Sequence, residues 1–353
     1  MEDRARPMMR AARLHGIRDV RLEQLPRPVP GPGQVLLRVA CVGICGSDVH
    51  YYLEGGIGSQ VIADPLILGH EFTARVEAPG PGAGSLRSGQ LVAVDPAISC
   101  GTCEQCQEGH PNLCPDVRFC GCPPVAGALA EYVLMPAQNL FPLPKAIGAA
   151  EGALLEPLGV AIHAVDLAHI KPGQTVAVLG AGPIGLMIAA VARAAGAAEV
   201  YVTEPLADRR QFALSYVADS VFDPGDDDMA AWILDLTRGR GVDVAIEAAG
   251  AAETPQQCAD VVRYGGQVVV AGIPRDDAMT MKASVLRRKG LTIKLVRRMK
   301  HTYPRAIRMV ASGMVDIAPL ARPVFPLEQV VEAIEAASAY RAGVLRAVVR
   351  VSD

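Results

Sequence analysis

Apolar and polar residues alternate in short runs through the first third of the chain, and the period lengthens toward that of helices beyond it. Ala11 to His15, Val20 to Leu25 and Gln34 to Val42 read as strands. Between the second and third lies the break Pro26 to Pro32, where missing amide donors forbid a helix. Glu71 to Ala78 and Gln90 to Asp95 repeat the strand pattern across the glycine- and serine-rich turn Pro79 to Gly89. The first part of the chain is therefore expected to be β-rich.

Past Tyr132 the organisation changes. Gly148 to His169 reads as one helical stretch rich in alanine and leucine, ending at the turn Lys171-Pro172-Gly173. Strict alternation follows: strand Thr175 to Leu179, helix Ile184 to Ala195, strand Glu199 to Thr203 and helix Leu206 to Val217. It continues with helix Met229 to Arg238, strand Val242 to Glu247, helix Thr254 to Tyr264, strand Gln267 to Ala271 and a last strand near Leu291 to Val296. Such alternation predicts an α/β fold with a doubly wound parallel sheet. Helices Tyr303 to Ser312 and Leu327 to Ala339 and the strand Val344 to Val351 form a tail expected to pack back on the first domain.

A chain of 353 residues is long enough for two domains with separate cores. Half the residues are hydrophobic and only 4% aromatic, so those cores are aliphatic. A formal net charge of -3, whose one obvious like-charge run is Asp226-Asp227-Asp228, gives no field for nucleic acid or an anionic membrane. The charged start Met1 to Arg13 lacks an apolar core of signal-peptide length, and no later segment is apolar for long enough to span a bilayer. A cytoplasmic protein with small-molecule partners is expected.

Four of the nine cysteines fall close together as Cys100, Cys103, Cys106 and Cys114. A C-x2-C-x2-C-x7-C array brings four soft ligands together through tight turns, as a structural zinc site requires. An iron–sulfur cluster fits less well, because only one such run exists and its fourth spacing differs. Unligated thiols gathered in one loop would oxidise.

Gly180-Ala181-Gly182-Pro183-Ile184-Gly185 lies between a predicted strand and a predicted helix, and Glu204 ends the next strand about twenty residues on. Alone, a G-x-G-x-x-G run can be just a turn; in this context it predicts dinucleotide binding, with the pyrophosphate on the helix N-terminus. A carboxylate at Glu204 suits the two ribose hydroxyls of NAD and repels the 2′-phosphate of NADP. Arg209 and Arg210 beside it temper that preference, or else form a solvated helix face.

Gly43-Ile44-Cys45-Gly46-Ser47-Asp48-Val49-His50 and Gly69-His70-Glu71 offer a thiolate, an imidazole and a carboxylate, a donor set suited to a catalytic zinc with one open position. Taken singly, Cys45 could be a buried small hydrophobe and His70-Glu71 a surface turn. His15, His110, His163, His169 and His301 match no ligand spacing, and Cys41 and Cys258 read as core residues.

Jointly these motifs, with Glu156-Pro157, resemble the zinc-dependent medium-chain dehydrogenase/reductase family, and within it the sorbitol (polyol) dehydrogenase branch. The resemblance covers nearly the whole chain. It implies a Rossmann nucleotide domain over 156–295, inserted in a β-rich GroES-like catalytic domain over 1–155 and 296–353 with a zinc lobe at about 96–116. It also implies that Cys45, His70 and Glu71 ligate the catalytic zinc, with Glu156 either a ligand or the holder of its water.

By the same resemblance Tyr51, Phe119, Glu156 and Arg298 line the substrate pocket, and Ser47 and His50 relay a proton. NAD would be held by Gly180, Gly182, Pro183, Ile184, Gly185, Glu204 and Arg209. The implied reaction is oxidation of a polyol's secondary hydroxyl to the ketose by a dimer or tetramer. The basic run Arg297-Arg298-Met299-Lys300-His301 leaves room for an acidic substrate. Threonine or butanediol dehydrogenases share most of the motifs, whereas a non-catalytic NAD sensor or a zinc-free quinone reductase has no use for the full metal set.

Overall fold

The computed structural model describes residues 6–225, 228–274 and 277–352, so Asp226 and Asp227 of the acidic run lie outside the described residues. The chain divides into two compact units: residues up to Glu156 together with those from Tyr303 onward, and Pro157–Thr302.

The first unit is built on antiparallel strands. Met8–Gly16 pairs with Asp19–Pro26 and with Leu66–Ile67. A seven-stranded sheet is centred on Gln34–Gly43, which pairs with Glu71–Pro79, Tyr132–Pro136 and the tail strand Val348–Arg350. Val35, Leu37, Val39 and Val42 of the central strand are fully buried in an aliphatic core that also holds Phe72, Val92 and Val349. Burial on both faces is why this strand reads as an almost continuous apolar run rather than an alternating one.

The second unit is a six-stranded parallel sheet in the order Ser220–Phe222, Glu199–Thr203, Thr175–Leu179, Val242–Glu247, Val262–Val270, Thr292–Leu295. In chain order that is 3-2-1-4-5-6, a doubly wound sheet whose order reverses beside its first strand. Asp243, on the fourth strand, accepts hydrogen bonds from Thr175 N (3.0 Å), Arg240 Nη2 (2.6 Å) and Arg263 Nε (2.7 Å), and so ties three strands together.

The tail strand expected over Val344 to Val351 covers only Val348–Arg350, and three further stretches differ in kind from the sequence expectation. The helix expected to run to Tyr264 stops at Val261, and a strand already begins at Val262. Arg263 is drawn to Asp243, and Gly265 turns at φ +67°, which only a non-helical backbone permits. The stretch Gly148 to His169 is two helices, Ala149–Ala153 and Leu155–Ala168. Pro157 accounts for the break, since its ring would meet the carbonyl four residues back, that of Ala153. The stretch after Cys45, to which the apolar pattern gives no regular element, is the helix Gly46–Glu54.

Candidate metal centre and nucleotide loop

Cys45 ends the central strand's extension and is the N-cap of the helix Gly46–Glu54. The Asp48 carboxylate reaches back to accept the Cys45 N–H at 2.9 Å, a capping contact, and also accepts the Gly69 N–H at 3.1 Å. One buried aspartate thus joins the two segments that carry the sulfur and the imidazole. Gly69 has φ +91°, and a Cβ there would lie 2.8 Å from Val42 Cγ1, so the turn into His70 admits only glycine.

Cys45, His70 and Glu71 each offer one ligand atom, all within 4.8 Å of one another. His70 is 5% and Glu71 1% exposed. His70 Nδ1 and Glu71 Oε2 are buried with no hydrogen-bond partner among the described residues. Buried polar atoms left unmet are costly, and a soft-and-hard donor set converging on one point is what a zinc ion would satisfy. The donor set therefore fits the metal.

Around this group, Asp48 Oδ1 lies 3.8 Å from His70 Nδ1. The buried Arg346 places Nη1 3.3 Å from Glu71 Oε1 and donates to the Ile44 carbonyl at 2.9 Å. Glu156, on the first turn of Leu155–Ala168, is buried beside them. Burial pushes the Glu71 carboxyl up to about 8 against the pull of Arg346, and burial pushes Glu156 up to about 8 against that of His70. The Phe119 ring stands 5.3 Å from the His70 ring.

Tyr51 is 1% exposed, and its hydroxyl donates to Gln60 Oε1 at 3.3 Å. Ser47 sits on the first turn of the helix, and His50 Nδ1 lies 3.3 Å from Glu54 Oε2 one turn on. Arg298 lies in the segment before the helix Tyr303–Ala311, with a left-handed φ of 52°.

The four-cysteine lobe is compact. Cys100 Sγ is 4.0 Å from Cys106 Sγ and 3.6 Å from Cys114 Sγ. Four sulfurs at ~2.3 Å from a tetrahedral zinc stand about 3.8 Å apart, so the lobe has the spacing the ion needs. The backbone N–H groups of Thr102 and Cys103 hold the Cys100 thiol down to about 6, toward the thiolate a metal takes.

In the second unit, Gly180 turns at φ +105°, and Gly182 caps the helix Pro183–Ala194, with Pro183 at its first position, where a missing N–H costs nothing. A Cβ on Gly185 would sit 1.9 Å from the Gly180 carbonyl oxygen, so helix and loop touch only because the side chain is absent. Glu204 accepts Ala181 N at 2.8 Å and Leu206 N at 3.1 Å, one donor per oxygen, which leaves lone pairs on both. Arg209 is buried, with Nη1 3.9 Å from the position of a Cβ on Gly182.

Asp48 and Arg346 were not singled out from sequence. Asp48 was legible as the fourth position of a C-x-x-D capping pattern; Arg346 carried no local signal.

The family described as "Alcohol dehydrogenase GroES-like domain" matches residues 31–145, and that described as "Zinc-binding dehydrogenase" matches 183–312. Sorbitol dehydrogenase of Bacillus subtilis (strain 168) is 39% identical over 343 residues, covering 97% of each chain. D-xylulose reductase A of Aspergillus niger is 38% identical over 328 residues, 91% of each. A zinc-binding dehydrogenase of Sinorhizobium meliloti 1021, solved bound to NADP, superposes with a TM-score of 0.91 at 33% identity, over 98% of this chain and 100% of that one.

Proposed function

The chain belongs to the zinc-dependent medium-chain dehydrogenase/reductase family, and from that premise we propose that it oxidises a secondary hydroxyl of a sorbitol- or xylitol-like polyol with NAD, giving the ketose, NADH and a proton. The observation that carries this reading is the convergence of Cys45, His70 and Glu71, two of them with orphaned buried atoms, next to a second buried carboxylate, Glu156.

Cys45, His70 and Glu71 would hold the catalytic zinc, and Cys100, Cys103, Cys106 and Cys114 the structural one. Bound there, zinc supplies the Lewis acidity that brings an alcohol's pKa toward neutrality, and NAD supplies the hydride acceptor. The protein's own groups prepare the site. Asp48 fixes the backbone at Cys45 and Gly69 and sets a buried negative charge 3.8 Å from His70 Nδ1. Arg346 holds one oxygen of Glu71 and so turns the other toward the ligand group. Glu156 holds the hydroxyl or water entering the site, and Ser47 and His50 pass its proton outward.

Tyr51, Phe119 and Arg298 are assigned to the polyol. Gly180, Gly182, Pro183, Ile184 and Gly185 cradle the pyrophosphate, Glu204 takes the ribose hydroxyls, and Arg209 flanks them. The nine cysteines form no disulfide among the described residues, which suits a reducing compartment, and we place the protein in the cytoplasm as a homodimer or homotetramer. No helix among the described residues is long and apolar enough to cross a membrane.

The test is the initial rate of NAD reduction by zinc-replete protein on sorbitol, xylitol, ribitol, threonine and 2,3-butanediol, each repeated with Cys45→Ser. Turnover on a polyol, abolished by the substitution, is expected. Turnover confined to threonine or the diol would overturn the substrate assignment, and a monomeric mass by light scattering would overturn the oligomer.

A further inference from the structure

One ion pair of the nucleotide unit, Arg210 with Asp223, has no place in the chemistry above and stands at the edge of the turn that presents Glu204. Arg210 lies on the helix Ala207–Tyr216, one residue past Arg209, and Asp223 follows the strand Ser220–Phe222. Arg210 Nη1 is 2.7 Å from Asp223 Oδ2 and donates at 2.7 Å to each of the carbonyls of Glu204 and Pro205. The two side chains are 19% and 21% exposed, so the pair is partly shielded from solvent.

An arginine near the acidic residue that ends the second strand is what accommodates the 2′-phosphate of NADP in this kind of sheet. The chain carries two such arginines. Arg209 lies over the glycine loop; Arg210, by its position, is the second cation a 2′-phosphate would recruit. Its guanidinium is committed to a carboxylate and two carbonyls. A phosphate bearing about -1.5 to -2 charges would have to compete with Asp223 for it and be repelled by Asp223 as well.

We propose that Asp223 is a specificity-determining residue: it keeps Arg210 on the Glu204–Pro205 turn and away from a 2′-phosphate, so that NADP is rejected by two carboxylates, Glu204 and Asp223. This rests on the reading of Gly180–Gly185 and Glu204 as the cofactor site. Asp223 acts through Arg210 and touches no reacting atom.

The test is calorimetric titration of the zinc-replete protein with NADH and NADPH, a readout independent of turnover. Asp223→Asn keeps the size of the side chain and removes its charge. It is expected to tighten NADPH by about tenfold while NADH stays within about twofold, and the gain should shrink as salt is added. Adding Arg210→Met to that variant should cancel the gain. Arg210→Met alone, which stands as a test even where Asp223→Asn does not fold, should leave NADPH binding unchanged, because the guanidinium already contributes nothing to it.

An unchanged NADPH-to-NADH ratio in Asp223→Asn would overturn the proposal and leave the pair a brace for the turn. So would a tenfold loss of NADPH affinity in Arg210→Met. Failure of the wild-type protein to bind NADH at all would instead bring down the cofactor-site reading, and the proposal with it.

Discussion

Asp48→Asn probes the metal centre without touching a ligand. The native carboxylate is 1% exposed and takes two backbone N–H donors, from Cys45 at 2.9 Å and Gly69 at 3.1 Å, while facing His70 Nδ1 at 3.8 Å. An asparagine of the same shape has one oxygen and one NH2 group. Whichever way the amide lies, one of the two backbone donors meets another donor, and a buried unmet N–H costs about 1–3 kcal/mol. The substitution also removes the negative charge that stands 3.8 Å from His70 Nδ1. Such changes lower metal affinity by about 10–100-fold, or about 1.4–2.7 kcal/mol.

The assay is zinc competition against a chelator, with the zinc remaining per chain counted by native mass spectrometry. One ion, at Cys45, His70 and Glu71, should leave at about 10–100-fold lower chelator than in the wild type, while the ion of the cysteine lobe stays. The melting temperature of the metal-free protein should fall as well. A variant that keeps both ions at wild-type affinity and is unchanged in stability would refute the assignment of Asp48 as the group that joins and orients the ligands.

Three further outcomes are expected. Cys103→Ser removes one sulfur of the lobe, whose metal binding is coupled to its folding; it should lower the melting temperature by about 5–10 °C while turnover per folded molecule is preserved, as scanning calorimetry beside active-site titration would reveal. Gly185→Ala puts a methyl group 1.9 Å from a backbone oxygen that cannot step aside, and should weaken NADH by at least about tenfold in calorimetric titration; unchanged binding would detach the loop from the cofactor.

Asp243→Asn tests the knot under the parallel sheet. Burial by itself would raise the Asp243 carboxyl, but Arg240, Arg263 and the Thr175 N–H outweigh it and hold the group well below the usual carboxylate range. A depressed folded-state value contributes stability above the unfolded value of about 3.9, and that stability is lost as pH falls further toward the folded value. The variant should be less stable than wild type by about 2 kcal/mol in urea at pH 7, and the gap should narrow below about pH 4. A gap that does not change with pH would refute the ionic origin of the effect.

What could be read from the residues alone follows from how local each signal is. The strand Gln34–Gly43 is apolar nearly throughout, and a two-residue cysteine spacing needs only a loop to become a ligand set, so both were legible. The glycine loop was legible because a strand and a helix flank it in sequence. The helix after Cys45 was not, because Gly46 and Ser47 are weak helix formers; its start depends on the Asp48 cap and its packing on the buried Tyr51 and Tyr52. The early end of the helix at Val261 depends on Asp243 catching Arg263, a contact no periodicity encodes. Arg346 has meaning only after Val348 pairs with Gly43 and Val349 with Val42, which brings the tail beside Cys45 and Glu71.

That tail pairing bears on why the centre needs a cation. Cys45, Asp48, Glu71 and Glu156 are four acidic groups gathered in one buried region, and Arg346 is the fixed positive charge set against them. Burying carboxylates without counter-charge is expensive, which is why Glu71 and Glu156 are both driven toward their neutral forms by desolvation. A zinc dication at the proposed Cys45, His70 and Glu71 site would supply the missing charge and remove the reason for protonating the carboxylates. Arg346 then has a separate use. By occupying Glu71 Oε1 it leaves Oε2 as the free oxygen, and Oε2 is the atom without a partner. The same carboxylate lies so close over Gly43 that a Cβ there would stand 2.6 Å from Oε2. The strand that seats the tail is thus also the surface against which the Glu71 carboxylate lies.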